Sequence, residues 1–240
     1  MLAEVKKAKE EKKNKKPVSK SKKKATPRAS KRPSVKKSPN KIARILKLCA
    51  VVMVILGLFG FAGWRVWKSD YIQMRYVYMW EYQQDIITYS QKNEIDPFLI
   101  AAIIKNESGF NPKAVSPVGA IGLMQIMPDT GAWIAKQMGL TDYSKNTLYQ
   151  SEMNIRMGCW YVGELDDEFK HNLALIMIAY NAGRGQTKEW MQKNGWSYDF
   201  NEPAKIPYPD TREYVQRVLK DRDKYYLYYK DKLDAKAVKK

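Results

Sequence analysis

The chain has 240 residues, enough for one good-sized domain with appendages, and its 45% hydrophobic content can supply a core. The formal charge of +18 is unevenly held: residues 1–47 contain 19 of the 43 Lys and Arg against three acids, Glu4, Glu10 and Glu11, and so carry +16 of it. The rest is nearly neutral, which excludes a domain that is basic throughout, and two cysteines exclude a disulfide-built scaffold.

Residues 1–43 are Lys, Ser, Pro and Ala with almost no large apolar side chain, a composition that predicts disorder. Such a tail can meet anionic lipid or a cytoplasmic partner. Neither a stacking platform nor a folded motif accompanies the charge, which argues against nucleic acid as a partner. The plainest reading is a topology signal with a solvated tail.

Between Lys47 and Arg65 lies LCAVVMVILGLFGFAGW, 17 residues without a charge. At about 1.5 Å per residue it reaches a little short of a hydrocarbon core of about 30 Å. Ile45 and Leu46 extend it, and Trp64 and Trp67 supply interfacial aromatics. The expectation is one membrane-spanning helix over 44–67. A buried core helix usually has a polar face, and a cleaved signal peptide would need a positive region of over 40 residues, so an uncleaved anchor is preferred. The lysine asymmetry puts the N-terminus in the cytoplasm and everything after residue 67 outside. Cys49, in the span, and Cys159, beyond it, then cannot pair, so the outer domain must rely on its core; Cys49 is read as a small apolar packing residue, with acylation near the inner face as the alternative.

Residues 68–81 are expected to form a connecting helix or linker to a domain over 82–230, followed by a basic tail, 231–240. Asp96-Pro97 predicts a helix start, an N-cap acceptor followed by proline at the first helical position, and that helix should stop at Gly109. SPVGAIG, 116–122, predicts turns and a short hairpin. PDTGAWIAKQMG predicts a short helix capped near Asp129, and QSEMNIRMGCWYVGELDDEF a longer amphipathic one. NLALIMIAYNAG is apolar on nearly every side and should be the buried central helix. After Pro203, Pro207 and Pro209, a last helix is expected to begin at Asp210 with Glu213 completing a capping box, and to bury Tyr214, Val218 and Tyr225. The fold class is therefore mainly α with a small irregular or β region near 113–127.

In IKNESGF, 104–110, Glu107 falls in the last turn of its helix, where the macrodipole disfavours a carboxylate. Apolar neighbours would shield it, and both effects raise the pKa toward that of a general acid working near neutral pH. By itself this heptapeptide also fits a carboxylate merely exposed at a helix end. Met124 and Tyr180 are open to a packing role, whereas Gln125 and Asn181 would be costly in a core without partners.

Four blocks, the Glu107-Ser108 pair, GLMQ at 122–125, AYNAG at 179–183 and TREYV at 211–215, resemble in order and spacing the lytic transglycosylase family. These are goose-type-lysozyme-like enzymes of bacteria that cleave peptidoglycan, and the resemblance runs from about Tyr82 to Tyr229. It implies a lysozyme-like α+β fold, with Glu107 as the catalytic acid and base and Ser108 shaping the site. It further implies that Ser116, Met124 and Gln125 line the glycan groove, that Tyr180 and Asn181 contact the reacting sugar, and that Tyr214 reaches Glu107 or the substrate. Glycosidases commonly use two carboxylates, yet Asp129, Glu152 and Asp210 fall in no block. The resemblance explains this by attack of the substrate's own acetamido oxygen, followed by closure of a 1,6-anhydro ring. No metal or cofactor is implied, since the single histidine, His171, has no ligand cluster. A hydrolytic muramidase and an inactive wall-binding scaffold are the competing readings. A tethered enzyme of this class would act in cell wall remodelling, on strands near the membrane.

Overall fold

The computed structural model describes residues 40–237, and the expected disorder of the basic tail falls mostly on residues 1–39, outside that range. Helix α1, Lys41–Trp67, is long and apolar enough to cross a membrane, and its apolar side chains from Ile42 to Trp67 are exposed. It starts within the stretch assigned to the tail, because Ile42, Ala43 and Arg44 are compatible with the helical run that follows.

Beyond α1 the chain does not continue as a regular connecting helix. One turn, α2, Asp70–Ile72, runs into a π-helical segment, Gln73–Val77. The helices that follow are α3, Gln83–Lys92, α4, Pro97–Ser108, α5, Pro128–Gln137, α6, Ser151–Glu168, α7, Leu173–Ala182, α8, Arg184–Asn194, and α9, Pro209–Ala237. The only pairings of strand type among the described residues are the bridges Val115 with Ile121 and Ile121 with Ile126, so the irregular β region lies where it was expected.

Helix α4 begins as the sequence implies: the Asp96 carboxylate accepts from the Phe98 N–H at 2.9 Å, Pro97 occupies the first position, and Gly109 closes the end with a left-handed φ of 58°. Phe98 to Ile104 are all buried, so α4 is apolar around its whole circumference until Lys105. Each fully buried Ile or Leu contributes about 1.5–3 kcal/mol relative to exposure. Helix α7 is capped by Asn172 and buries Ala174 to Ala179, as expected of the central helix. Both α4 and α7 pack on α9, whose buried face includes Tyr214, Val215, Val218 and Tyr225.

Three expectations are corrected. Helix α5 is not capped by Asp129: Pro128 is its first residue, with Asp129 in the first turn. Helix α9 begins at Pro209 rather than at Asp210, so proline's fixed φ starts it and the Glu213 carboxylate pairs instead with Arg217, four residues on. It continues to Ala237 through the stretch assigned to a tail. Helix α8 was not anticipated at all, because the apolar periodicity of RGQTKEWMQKN is too weak to mark it.

The segment after the π-helix is fastened to α9 by tyrosines. Tyr225 Oη donates to the Met79 carbonyl at 3.0 Å and Tyr229 Oη to that of Tyr78 at 2.8 Å, while the Trp80 ring packs against Phe98, Tyr225 and Tyr229. Asp221, 7% exposed, accepts from Tyr78 Oη at 3.0 Å, Lys105 Nζ at 2.6 Å and Asn106 Nδ2 at 2.9 Å. Asp221→Ala therefore leaves an ammonium group and a phenol without their acceptor. It is expected to destabilise the domain by about 2–3 kcal/mol, a figure discounted because Lys105 keeps some solvent contact. Thermal melting of the full chain in detergent, followed by near-UV circular dichroism, reads this directly.

Candidate active site

Glu107 stands in the last turn of α4, partly buried, at the point where the apolar helix meets the loop that follows. The Tyr214 phenol, brought in by α9, donates to Glu107 Oε1 at 2.7 Å. Burial pushes the Glu107 carboxyl above the usual carboxylate range, against the opposing pull of the Tyr214 hydrogen bond and the Arg217 charge. Tyr214 and Tyr180 are themselves raised well above a free phenol, first by burial and then by the Glu107 charge, so both remain neutral donors at physiological pH.

The loop carrying GLMQ is tied to this centre at several points. Ser108 Oγ donates to the Leu123 carbonyl at 2.8 Å, joining the end of α4 to the loop. Tyr180 Oη, from α7, donates to the Met124 carbonyl at 2.7 Å. Gln125 has a left-handed φ of 48°, and its side-chain Nε2 donates to the Gly122 carbonyl at 2.9 Å and the Ala114 carbonyl at 3.2 Å. Its amide nitrogen thus holds the loop's own turn, which leaves the carbonyl oxygen as the group available to a ligand.

Two candidates differ from the expected role. The Met124 side chain is 0% exposed and lies over Gly158, where any Cβ would overlap its sulfur, so it packs in the core rather than facing a groove. Ser116, half-buried, accepts from the Ala120 N–H at 3.0 Å and closes its own turn. Asn181 is exposed on α7 and accepts from Thr211 Oγ1 at 3.0 Å, which ties it to the start of α9. Glu107, Ser108, Tyr214, Tyr180 and Gln125 are therefore linked through hydrogen bonds of side chains and loop backbone, whereas the hydrogen bonds of Ser116 and Asn181 run to Ala120 and Thr211.

Sequence reasoning missed Asn154, which holds the loop from beneath. Its Oδ1 accepts from the Met124 N–H at 2.8 Å, and its Nδ2 donates to the carbonyls of Leu148 at 2.8 Å and Ile121 at 3.0 Å. Gly122, at φ 80°, passes so close that a Cβ would overlap the Asn154 amide. The signal was present: Asn154, Gly158, Val162 and Leu165 form one stripe of α6, and a fully buried Asn in an apolar stripe needs several partners.

The other acids stand apart from Glu107. Asp129 and Asp210 are exposed, and Glu152 accepts from Tyr89 Oη at 2.5 Å, which pushes that phenol up to about 12. No group of three or more His, Cys, Asp or Glu with metal-binding geometry occurs among the described residues. His171 lies in the turn before α7, beside Asp166.

Residues 84–202 match the family model of the transglycosylase SLT domain. That stretch of the chain is thus a transglycosylase SLT domain. The soluble lytic murein transglycosylase of Escherichia coli K12 is 39% identical over 145 residues, covering 59% of this chain and 22% of the relative. The membrane-bound lytic murein transglycosylase C of Actinobacillus pleuropneumoniae is 33% identical over 154 residues, covering 55% and 42%. Among solved structures, the 70 kDa soluble lytic transglycosylase of E. coli superposes with a TM-score of 0.58 at 32% identity over 63% of this chain and 25% of its own. An inactive mutant of the Pseudomonas aeruginosa lytic transglycosylase Slt, bearing a Glu-to-Gln change, superposes with a TM-score of 0.57 at 30% identity, over 66% of this chain and 25% of its own. The chain thus spans about a quarter of the length of these soluble relatives. The mainly helical, lysozyme-like fold agrees with that of these structures.

Proposed function

We propose that the protein is a membrane-anchored peptidoglycan lytic transglycosylase that cleaves the MurNAc-GlcNAc β-1,4 bond and leaves 1,6-anhydro-MurNAc ends. The observation that carries this reading is the partly buried Glu107 carboxyl, raised by burial and held by Tyr214. A carboxyl biased toward its neutral form is the group needed to protonate the leaving oxygen of the glycosidic bond. As that bond breaks, the acetamido oxygen of the muramyl sugar attacks its anomeric carbon in place of an enzyme nucleophile. The ionised Glu107 then takes the proton of the 6-hydroxyl as O6 attacks the same carbon and releases the acetamido group. Proton count is restored and water is not consumed. Tyr180, Asn181 and the Gln125 carbonyl would meet the hydroxyls and the acetamido group of the strand, with Ser108 and Ser116 shaping the loop that carries Gln125.

The apolar helix α1 and the charge asymmetry around it support a single-pass anchor with its N-terminus in the cytoplasm and the catalytic domain facing the wall. The role that follows is wall remodelling close to the membrane. The basic tail is suited to anionic lipid on the inner face or to a cytoplasmic partner.

Purified full-length protein in detergent, incubated with purified peptidoglycan, tests the reading by mass spectrometry of the sugar ends. Anhydro ends are expected. Reducing ends would transfer the protein to the muramidases, and an absence of cleavage would remove it from both.

Tyr214→Phe gives a second test. Its hydroxyl favours the ionised carboxylate, so its loss should raise the Glu107 pKa further and move the high-pH limb of kcat/KM to higher pH. The rate should fall less than when the carboxyl itself is removed. An unchanged pH profile would show that Tyr214 does not act on Glu107.

A further inference from the structure

Helix α1 ends at Trp67, and the chain that follows is bonded back to it: Ser69 Oγ donates to the Val66 carbonyl at 2.6 Å, and Gln73 Nε2 to that of Trp67 at 2.8 Å. The last turns of α9 are fastened to the same stretch. Tyr228 Oη donates to Asp70 at 3.2 Å and Lys232 Nζ to the Met74 sulfur at 3.8 Å, and the bonds of Tyr225 and Tyr229 to Met79 and Tyr78 continue the seam. Residues 158 apart in the sequence are thereby joined, and α9 is held close to the end of the apolar helix rather than on a free linker.

Two features of this stretch serve neither the core nor the Glu107 centre. The first is apolar exposure: Tyr71 and Tyr76 are 71% and 64% exposed, and Met79, Tyr226 and Leu227, on the elements joined by the seam, are exposed as well. The second is charge. Residues 224–240 hold six lysines against Asp231 and Asp234, and Lys68 and Arg75 add to them. Lys224, Leu227 and Asp231 recur at helical spacing on the side of α9 away from buried Val218, Tyr225 and Tyr229, and Lys230 borders them. Lys224 and Lys230 lie over the rings of Tyr228 and Tyr226 at 5.6 and 5.4 Å. Of the acids within 68–81 and 223–231, Asp70 is taken by Tyr228 and Asp223 by Arg222 at 3.1 Å, which leaves Glu81 and Asp231 as exposed counter-charges. Tyrosine with a wet hydroxyl, and lysine with its ammonium on an apolar stem, are suited to the depth of lipid headgroups.

We propose that the last turns of α9 and the segment 68–79 dock on anionic phospholipid headgroups of the bilayer that α1 spans. Lys224 and Lys230 meet the lipid phosphates with Leu227 between them, while Tyr71 and Tyr76 extend the contact toward α1. Asp221, which accepts from both Tyr78 and Lys105, carries this placement to the end of α4. Glu107 is then held at one height above the bilayer instead of swinging on a tether, and the site reaches strands that lie along the membrane surface. The inference rests on the anchor reading above.

The test uses the full chain in lipid nanodiscs, made of phosphatidylcholine alone or of an equal mixture with phosphatidylglycerol, both containing lipid with a nitroxide on its headgroup. A fluorophore is attached at Leu227→Cys or, as a control, at Lys145→Cys, an exposed position on the 3₁₀ turn Lys145–Tyr149 that packs on α5 and α6. Cys159 is buried, and any signal from Cys49 is subtracted with the unsubstituted chain. The label at 227 should be quenched in the mixed discs and less so in phosphatidylcholine, while the label at 145 stays bright in both. Lys224→Ala and Lys230→Ala should each lower the ratio of docked to free domain about fivefold, as for one lysine near an anionic surface. Equal signals from 227 and 145 in the mixed discs, equal quenching at 227 in the two kinds of disc, or quenching that neither alanine variant reduces overturns the proposal. A bright label at 227 in discs that hold two copies also overturns it and gives the face to a second chain. Alkaline extraction from vesicles reads the anchor separately: a chain that stays in the membrane with a bright label at 227 loses only the docking, and one that is extracted loses the anchor and the docking with it. Docking is read without cleavage, so a docked chain that cuts no peptidoglycan upholds this inference and removes the lytic reading.

Discussion

Glu107→Gln is expected to lower peptidoglycan cleavage by about 10²–10⁴-fold, the usual contribution of a positioned general acid, without lowering the melting temperature at neutral pH. Gln keeps the shape of the side chain and an oxygen for the Tyr214 hydroxyl, but it has no proton to give. Stability supplies an independent check. Burial raises the native pKa of Glu107 above the value of about 4.3 for an unfolded chain. Between those two values the native state binds more protons than the unfolded state, so its stability falls as pH rises through that window. Above the window the native domain keeps a poorly solvated carboxylate, and Gln relieves it. Wild type and variant should therefore melt alike below about pH 4, and the variant should melt at the higher temperature above the native pKa. Retained activity would sink the role of Glu107, whereas a drop of several degrees at neutral pH would make it a structural residue.

What was legible in the sequence follows a physical division. Helix α4 could be delimited to the residue because its ends are written locally: Asp96 and Pro97 at one, Gly109 at the other. Helix α7 was legible through its unbroken apolar run, and the buried face of α9 through Tyr214, Val218 and Tyr225. The start of α9 was misread because two local rules competed there, a capping box at Asp210 and proline at the first position, and the proline set the boundary. Helix α8 was missed because only Thr187 and Trp190 are buried on it, so it carries almost no periodic signal. The candidate site divides in the same way. Glu107 and Tyr214 come from elements with clear patterns, 107 residues apart, and meet because both helices bury their apolar faces on each other. The state of Met124 was not legible, because an apolar residue in a turn can face either way. Its burial depends on the gap that Gly158 leaves on another helix.

The largest structural effect is expected at Asn154. Asn154→Ala removes one acceptor and two donors at once and leaves the Met124 N–H and the carbonyls of Ile121 and Leu148 without those partners in the core. An unsatisfied buried polar group costs about 1–3 kcal/mol, and partial relaxation of the loop should bring the total to about 3–5 kcal/mol. For a domain of this size that corresponds to a fall in melting temperature on the order of 10 °C. Activity should fall as well, even when it is measured well below the melting point. The Met124 carbonyl is the acceptor for Tyr180, and the Leu123 carbonyl is the acceptor for Ser108 beside Glu107. A loop that loses its anchor releases both, and a misplacement of about 1 Å near a reacting centre is enough to cost on the order of 10²-fold in rate. Asn154→Asp separates the two kinds of loss. Its carboxylate still accepts from the Met124 N–H, but it opposes two carbonyl oxygens in a fully buried position, so it should be at least as destabilising as alanine despite its matching shape. If instead the aspartate variant melts close to wild type and only the alanine variant loses activity, the acceptor bond to Met124 alone orders the loop, and the two carbonyl contacts are incidental.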